Sequence, residues 1–599
     1  MKQLPLRYTV EIANAAAHLF RVTLSVPQPD ADGIRLSLPT WLPGSYMIRE
    51  FAKNIVTLNA RQGARKVPLQ KQDKQTWHTG KLSADAPLEV VAEIYAWDLS
   101  VRCAHLDQTH GFFNGTQMFL SVAGREHVPH EVELIKPAGE DFGDWRVATT
   151  LPSARGAARA ARPGSFGVYR AEDYDDLVDH PVEMGTFKLL KFTAAGVPHQ
   201  VAVTGRTRFD EKRLCADLAK ICEWQINFFG GVAPFKRYLF LVMAVGEGYG
   251  GLEHRASTAL LCSRNDLPVP GTTSIDERYR GFLGLCSHEY FHSWNVKRIK
   301  PARFLPYRLS EEGYTSLLWV FEGFTSYYDD LFLVRSGLIS QADYLGMLAK
   351  TIAGVERHSG RTRQSVAESS FDAWIKYYRQ DENSPNAIVS YYTKGSLVAA
   401  GLDLTIRAVT HGRRSLDDVM LHLWNDYALA GKGVAEGEVP AIIKAATGVD
   451  VSREIAAWVE GTNDVPFEKL LKPFGITLER KRGGLLSGLG IKTRAEGNAL
   501  KLANVLDGGS AQRAGLSAGD ELVAIDGLRV TAGNLETILI RYDKGNTFEM
   551  TCFRRDELMT AKVRFEVPRM QECSLMRIPR ASAAINKLRD DWLGREATD

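Results

Sequence analysis

The stretch Ser287-His288-Glu289-Tyr290-Phe291-His292-Ser293-Trp294 decides how the rest of this chain is read. It contains H-E-x-x-H. On a helix, side chains at i and i+4 lie one above the other on the same face, so His288 and His292 can offer two imidazole nitrogens to a single Zn²⁺. Glu289 then stands beside the metal, placed to take a proton from a bound water. The surroundings favour a helix. No proline occurs from Ile275 to Val296, and Phe282, Leu283, Leu285, Cys286, Phe291 and Trp294 supply an apolar body. The competing reading is two histidines that share a buried helix face by accident.

Downstream, Glu322 is a lone acid among Leu317, Leu318, Trp319, Phe321, Phe324 and Tyr327. An ionised carboxylate in such company is costly unless it pairs or binds a metal. Two His and one Glu with an open fourth position is a catalytic zinc arrangement; a neutralised or Lys/Arg-paired Glu is the alternative. Further on, Ser390-Tyr391-Tyr392-Thr393-Lys394-Gly395 opens an apolar helix over Leu397–Val409. Paired tyrosines serve as core or rim residues, and a phenol beside a metal can also donate to a developing oxyanion.

Upstream, the strand-like run Tyr238–Val245 is followed by Gly250-Gly251-Leu252-Glu253-His254. Glycines there let the backbone approach a ligand or lie along a sheet edge, or they simply make a tight turn. Phe187–Phe192 and Gln200–Thr204 also read as strands, flanking a helix near Glu211–Phe228. Residues 1 to about 165 read as all-β, in short alternating segments broken by Gly, Pro, Asn and Asp. Within them, LPTWLPGSYMIREF (Leu38–Phe51) reads as a buried aromatic corner around a Pro-Gly turn. From Ile275 to about Glu460 the pattern is mostly helical. From Leu478 to Val567 it returns to short β runs, with a helix-sized piece inside Ala503–Val530. Ile585, Leu588, Trp592 and Leu593 in the polar tail suit a short docking helix.

A chain of 599 residues exceeds one hydrophobic core and calls for several domains. Net charge is +3, which gives no basic bias towards nucleic acid. Seven scattered cysteines fit free thiols in a reducing compartment better than a disulfide framework. The first residues lack the apolar core of a signal peptide, and no apolar run approaches the ~20 residues of a membrane span. A soluble, cytoplasmic protein is the expectation.

Several of these stretches together resemble the glycyl aminopeptidase family of zinc metallopeptidases, relatives of the thermolysin and aminopeptidase-N groups. LPTWLPGSYMIREFAKN is similar to its N-terminal signature, and GGLEH, HEYFHSW and WVFEGFTSYY to its catalytic ones. The resemblance implies a multidomain α+β protein. Its parts are an N-terminal all-β, sandwich-like domain (1–170), a thermolysin-like, mainly helical catalytic domain (171–472), a PDZ-like β domain (473–568) and a tail (569–599). It implies one Zn²⁺ held by His288, His292 and Glu322, with Glu289 as general base. Glu253 matches the glutamate that holds a substrate's free α-amino group, flanked by Gly250 and Gly251. Tyr392 matches the tyrosine that stabilises the tetrahedral intermediate. Two departures stand out: the interval from His292 to Glu322 is longer than in thermolysin or aminopeptidase-N, and His254 replaces an asparagine. The implied activity is removal of N-terminal Gly, Ala or another small residue from peptides. The alternatives are a zinc endopeptidase and an inactive, PDZ-containing peptide-binding protein. The expected partners are peptides with a free N-terminus; either the PDZ-like groove captures a C-terminal peptide or, as its degenerate loop Leu489-Gly490-Ile491 favours, the domain only caps the catalytic one, and oligomeric state is left open.

Overall fold

The computed structural model describes residues 4–595; the outermost residues of the first and last expected segments, 1–3 and 596–599, lie outside them. The described chain divides into two units. One holds the residues up to Gly313 together with Trp424–Val434. The other holds Tyr314–Leu423 and the residues from Ala435 onward.

The first unit begins with β structure, as the alternating segments predict. A seven-stranded sheet runs in the order Gly167–Ala171, His130–Leu134, Leu6–Asn14, Leu19–Val26, Leu88–Tyr95, Ile55–Gln62, Arg65–Val67. Leu6–Asn14 pairs in parallel with His130–Leu134, and its other neighbours pair antiparallel. Leu19–Val26 alternates between half-buried and buried positions, so Phe20, Val22, Leu24 and Val26 enter one core with Val90, Ala92 and Ile94. Two smaller four-stranded sheets share that core.

A second sheet follows, in the order Lys188–Ala194, Val197–Thr204, Tyr238–Val245, Ser257–Ser263, Tyr249–Glu253. The strand Tyr238–Val245 is a near-continuous apolar run because it sits centrally, paired in parallel on both sides. Tyr249–Glu253 is an edge strand, antiparallel to its neighbour, so the glycine pair lies along a sheet edge rather than in a turn. The helices Glu211–Phe228 and Glu277–Phe291 pack on each other, and the second also packs on the two strands at that edge. Asp210 and Asp276 cap them by accepting from the backbone N–H groups of Arg213 and Tyr279. Beyond His292 the expected helical continuity fails. Residues 293–313 hold only the short 3₁₀ turn Ala302–Phe304; Val296 at φ 121° and the prolines Pro301 and Pro306 are incompatible with a continuous helix.

The second unit opens with a π-helical turn, Trp319–Gly323, running into the helix Phe324–Arg335. Gln341–Glu356 and Thr393–Thr410 pack with it. Gly323 and Gly395 permit a close crossing, since a methyl group on Gly323 would lie 2.7 Å from the Gly395 Cα. A six-stranded antiparallel sheet spans Ile491–Arg564 around its own apolar core. The helix expected inside Ala503–Val530 is one turn, Ser510–Arg513; Gly508, Gly509 and Gly515 border it and cannot sustain a longer helix. The tail helix Ala583–Leu593 docks as its apolar pattern predicts, with Trp592 fully buried and its indole N–H donating to the Tyr327 hydroxyl at 2.8 Å. Among the described residues, no helix is long and apolar enough to cross a membrane.

Candidate active site

The helix Glu277–Phe291 carries the H-E-x-x-H motif at its C-terminal end, with His292 in the capping position. The His288 and His292 rings lie 4.6 Å apart between centroids, as neighbours on adjacent turns should. His292 is 1% exposed, and its Nδ1–H donates to the Asn295 carbonyl at 2.7 Å. That bond fixes the tautomer and leaves Nε2 with its lone pair, as a metal-ligating imidazole requires. The Asn295 carbonyl is aimed by a sharp bend. Val296, buried and β-branched, adopts φ 121°, a conformation such residues rarely accept, and sequence reading gave no sign of it.

Several side chains hold this helix from behind. Gln225 donates from Nε2 to the Ser287 carbonyl and hydroxyl, both at 3.0 Å. The Tyr290 hydroxyl meets His199 Nε2 at 2.9 Å, while His199 Nδ1 lies 2.9 Å from the Val197 carbonyl. Past the helix end, Lys297 reaches the buried Asp179 at 2.6 Å. Asp179 also accepts from the Arg255 backbone N–H at 2.9 Å and faces His254 Nδ1 at 3.3 Å. Against the cost of burial, Lys297 and Arg255 hold its carboxyl well below the usual range. This one carboxylate therefore ties the end of the strand bearing Glu253 to the end of the metal-motif helix.

Glu253, Glu289 and His292 converge. One ligand atom from each lies within 4.8 Å of the others, and all three are buried. The glycines explain how they fit. A Cβ on Gly251 would lie 1.9 Å from Glu289 Oε1, so only glycine leaves room for that carboxylate. A Cβ on Gly250 would meet only Arg102, at 3.6 Å, so this position is not required on steric grounds. A Cβ on Gly44 would lie 2.3 Å from Glu253 Oε2, and Gly44 sits at φ +95°. The LPGSY turn is thus more than the buried corner its sequence predicts: its glycine forms a wall of the Glu253 position. Glu253 is 3% exposed and its Oε1 has no hydrogen-bond partner among the described residues.

In the second unit, Glu322 lies in the π-helical turn and is 1% exposed. Such turns widen a helix locally and recur at functional sites. Tyr392 is half-buried at the start of the helix Thr393–Thr410, its hydroxyl 3.1 Å from that of Tyr378. Burial first, and then the negative charge of Glu322, push the Tyr392 phenol well above its ordinary pKa. It stays protonated and remains a hydrogen-bond donor.

Residues 7–186 match the peptidase M61 N-terminal domain, and residues 281–398 match the M61 glycyl aminopeptidase domain. An aminopeptidase N family protein from Idiomarina loihiensis is 40% identical, with a TM-score of 0.93 over 98% of this chain and 100% of that one. The chain belongs to the M61 glycyl aminopeptidase family. It is accordingly a metallopeptidase. An M1 zinc metallopeptidase from Deinococcus radiodurans aligns at 14% identity and TM-score 0.46, over 78% of this chain and 95% of that one. None of the curated proteins matches. For a member of the M61 family, the residues around H-E-x-x-H suit a zinc ion: a tautomer-fixed imidazole, a second imidazole one turn away, and the buried carboxylates of Glu253 and Glu289 beside them.

Proposed function

We propose that the protein is a zinc-dependent aminopeptidase that removes small N-terminal residues, glycine or alanine, from peptides. The convergence of Glu253 and Glu289 beside His292 carries this reading. Beside His292, a metal ion and a substrate ammonium would each meet a buried carboxylate there. An amine held at Glu253 sets the first peptide bond, and no later one, beside the base.

His288, His292 and Glu322 are the residues we assign to hold the zinc. Glu322 qualifies as a buried carboxylate in a π-helical turn whose charge is felt by Tyr392. When bound, zinc would polarise a water and bring its pKa towards ~7. Glu289 takes that water's proton and hands it to the leaving amine. Tyr392, kept protonated, donates to the oxyanion. Glu253 grips the free α-ammonium, with Gly44 and Gly251 leaving space for the two carboxylates.

The sheet spanning Ile491–Arg564 is read as a PDZ-like domain. Gly490, at φ 72°, ends the helical turn Leu486–Leu489 at the position of its carboxylate-binding loop, where a C-terminal peptide would add. All seven cysteines are free, which supports a cytoplasmic setting.

The test is metal-dependent hydrolysis of a glycyl amide. Chelation abolishes it and zinc restores it; Glu289→Gln retains zinc and is inactive; Glu322→Ala loses one equivalent of zinc. Full activity in either variant would overturn the assignment.

A further inference from the structure

A second cluster of metal-type donors lies in the first unit, formed by residues that the peptidase reading does not use. The strands Ala104–Leu106 and His110–Phe113 form a hairpin, and its turn supplies Asp107. The His105 and His110 rings stack 4.9 Å apart at 20°. One ligand atom from each of His105, Asp107 and His110 lies within 4.8 Å of the others.

The hydrogen bonds sort the donor atoms. Asp107 Oδ1 is taken by the Thr109 N–H and hydroxyl, both at 2.6 Å, and by the His110 N–H at 3.1 Å. Its Oδ2 is turned to His105 Nε2, 3.4 Å away. His110 Nδ1 faces Glu183 Oε1 at 3.3 Å. Both ring nitrogens of His110, and His105 Nδ1, are buried with no hydrogen-bond partner among the described residues; Glu183 Oε1 accepts instead from the Thr204 hydroxyl at 2.9 Å. His110 is 2% exposed, so that Nε2 cannot turn to water. A small cavity of about 20 Å³ adjoins them, lined by His105, His110 and Glu183 with Val101, Phe112 and Leu241. Asp107 does not line it, so the ion would sit at the hairpin turn beside this cavity rather than within it.

We propose that His105, Asp107 and His110 form a divalent transition-metal site separate from the peptidase centre. Two imidazoles and one carboxylate suit zinc or a similar first-row ion, whereas calcium and magnesium prefer all-oxygen sites. Because all three donors lie on one hairpin, the ion would brace the turn between Ala104–Leu106 and His110–Phe113.

The experiment uses the full chain carrying His288→Ala and His292→Ala, which removes the peptidase ligands. After stripping by chelator, the protein is dialysed against zinc alone, and separately against cobalt(II) for its visible absorption. The expected result is one bound equivalent, a visible cobalt spectrum, and a rise in Tm on adding zinc. Further substitution, His110→Gln, should remove all three. A folded His288→Ala/His292→Ala protein that binds no metal overturns the site. Retention of the equivalent after His110→Gln and Asp107→Asn overturns the residue assignment.

Discussion

Gly251→Ala tests the placement of Glu289, the proposed general base, without altering that residue. Gly251 lies in the extended edge strand at an ordinary φ, so alanine suits the backbone. Its methyl group, however, would start 1.9 Å from Glu289 Oε1 and 2.4 Å from Cδ, where real contacts essentially never fall below 3.0 Å. The carboxylate must therefore retreat by about an ångström. Displacements of ~1 Å at a reacting group cost on the order of 10²-fold in rate, equivalent to about 2.7 kcal/mol of barrier. Steady-state kinetics on a glycyl amide should show kcat lowered by roughly that factor, while zinc content and Tm stay close to wild type. Activity within a few-fold of wild type, with zinc retained, would refute the claim that Glu289 works from this position.

Three further outcomes are expected. Gly44→Ala, which sets a methyl against Glu253 at a left-handed φ, should raise KM for free-amine substrates more than it lowers kcat, with zinc content unchanged. Tyr392→Phe should lower kcat by ~10²–10³ with little change in KM, the loss typical of one oxyanion donor; an unchanged kcat would remove Tyr392 from the mechanism. Burial, only partly offset by the Val197 carbonyl, pushes the His199 pKa down to about 4. The unfolded imidazole titrates near ~6.5, so the unfolded state binds more protons between there and pH 4. Stability is therefore held above that window and falls across it by roughly 3 kcal/mol from this group. Urea denaturation of His199→Gln between those pH values should show a flatter decline.

Local signals carried the fold where they were strong. The runs Tyr238–Val245 and Glu211–Phe228 end where the structure ends them, because a buried central strand and a capped amphipathic helix are set by their own residues. The metal-motif helix was legible for the same reason. What escaped the sequence was non-local or depended on hydrogen-bond register. The contact between Gly44 and Glu253 joins distant segments, and no composition rule pairs a turn glycine with a particular carboxylate. The π turn at Glu322 shifts a backbone ladder without changing the apolar pattern that predicts a helix. The segment after His292 reads as helical by composition, yet Val296 breaks it to present a carbonyl to His292. The Asp179 tie between Arg255 and Lys297 was equally invisible, since each partner alone looks like a surface charge.

The most direct test of the central claim compares a glycyl or alanyl amide bearing a free amine with its N-acetylated twin, using zinc-loaded protein. The account predicts cleavage of the free-amine substrate alone, lost in Glu289→Gln and reduced mainly through binding in Glu253→Ala. Equal cleavage of both substrates, indifferent to Glu253→Ala, would contradict it.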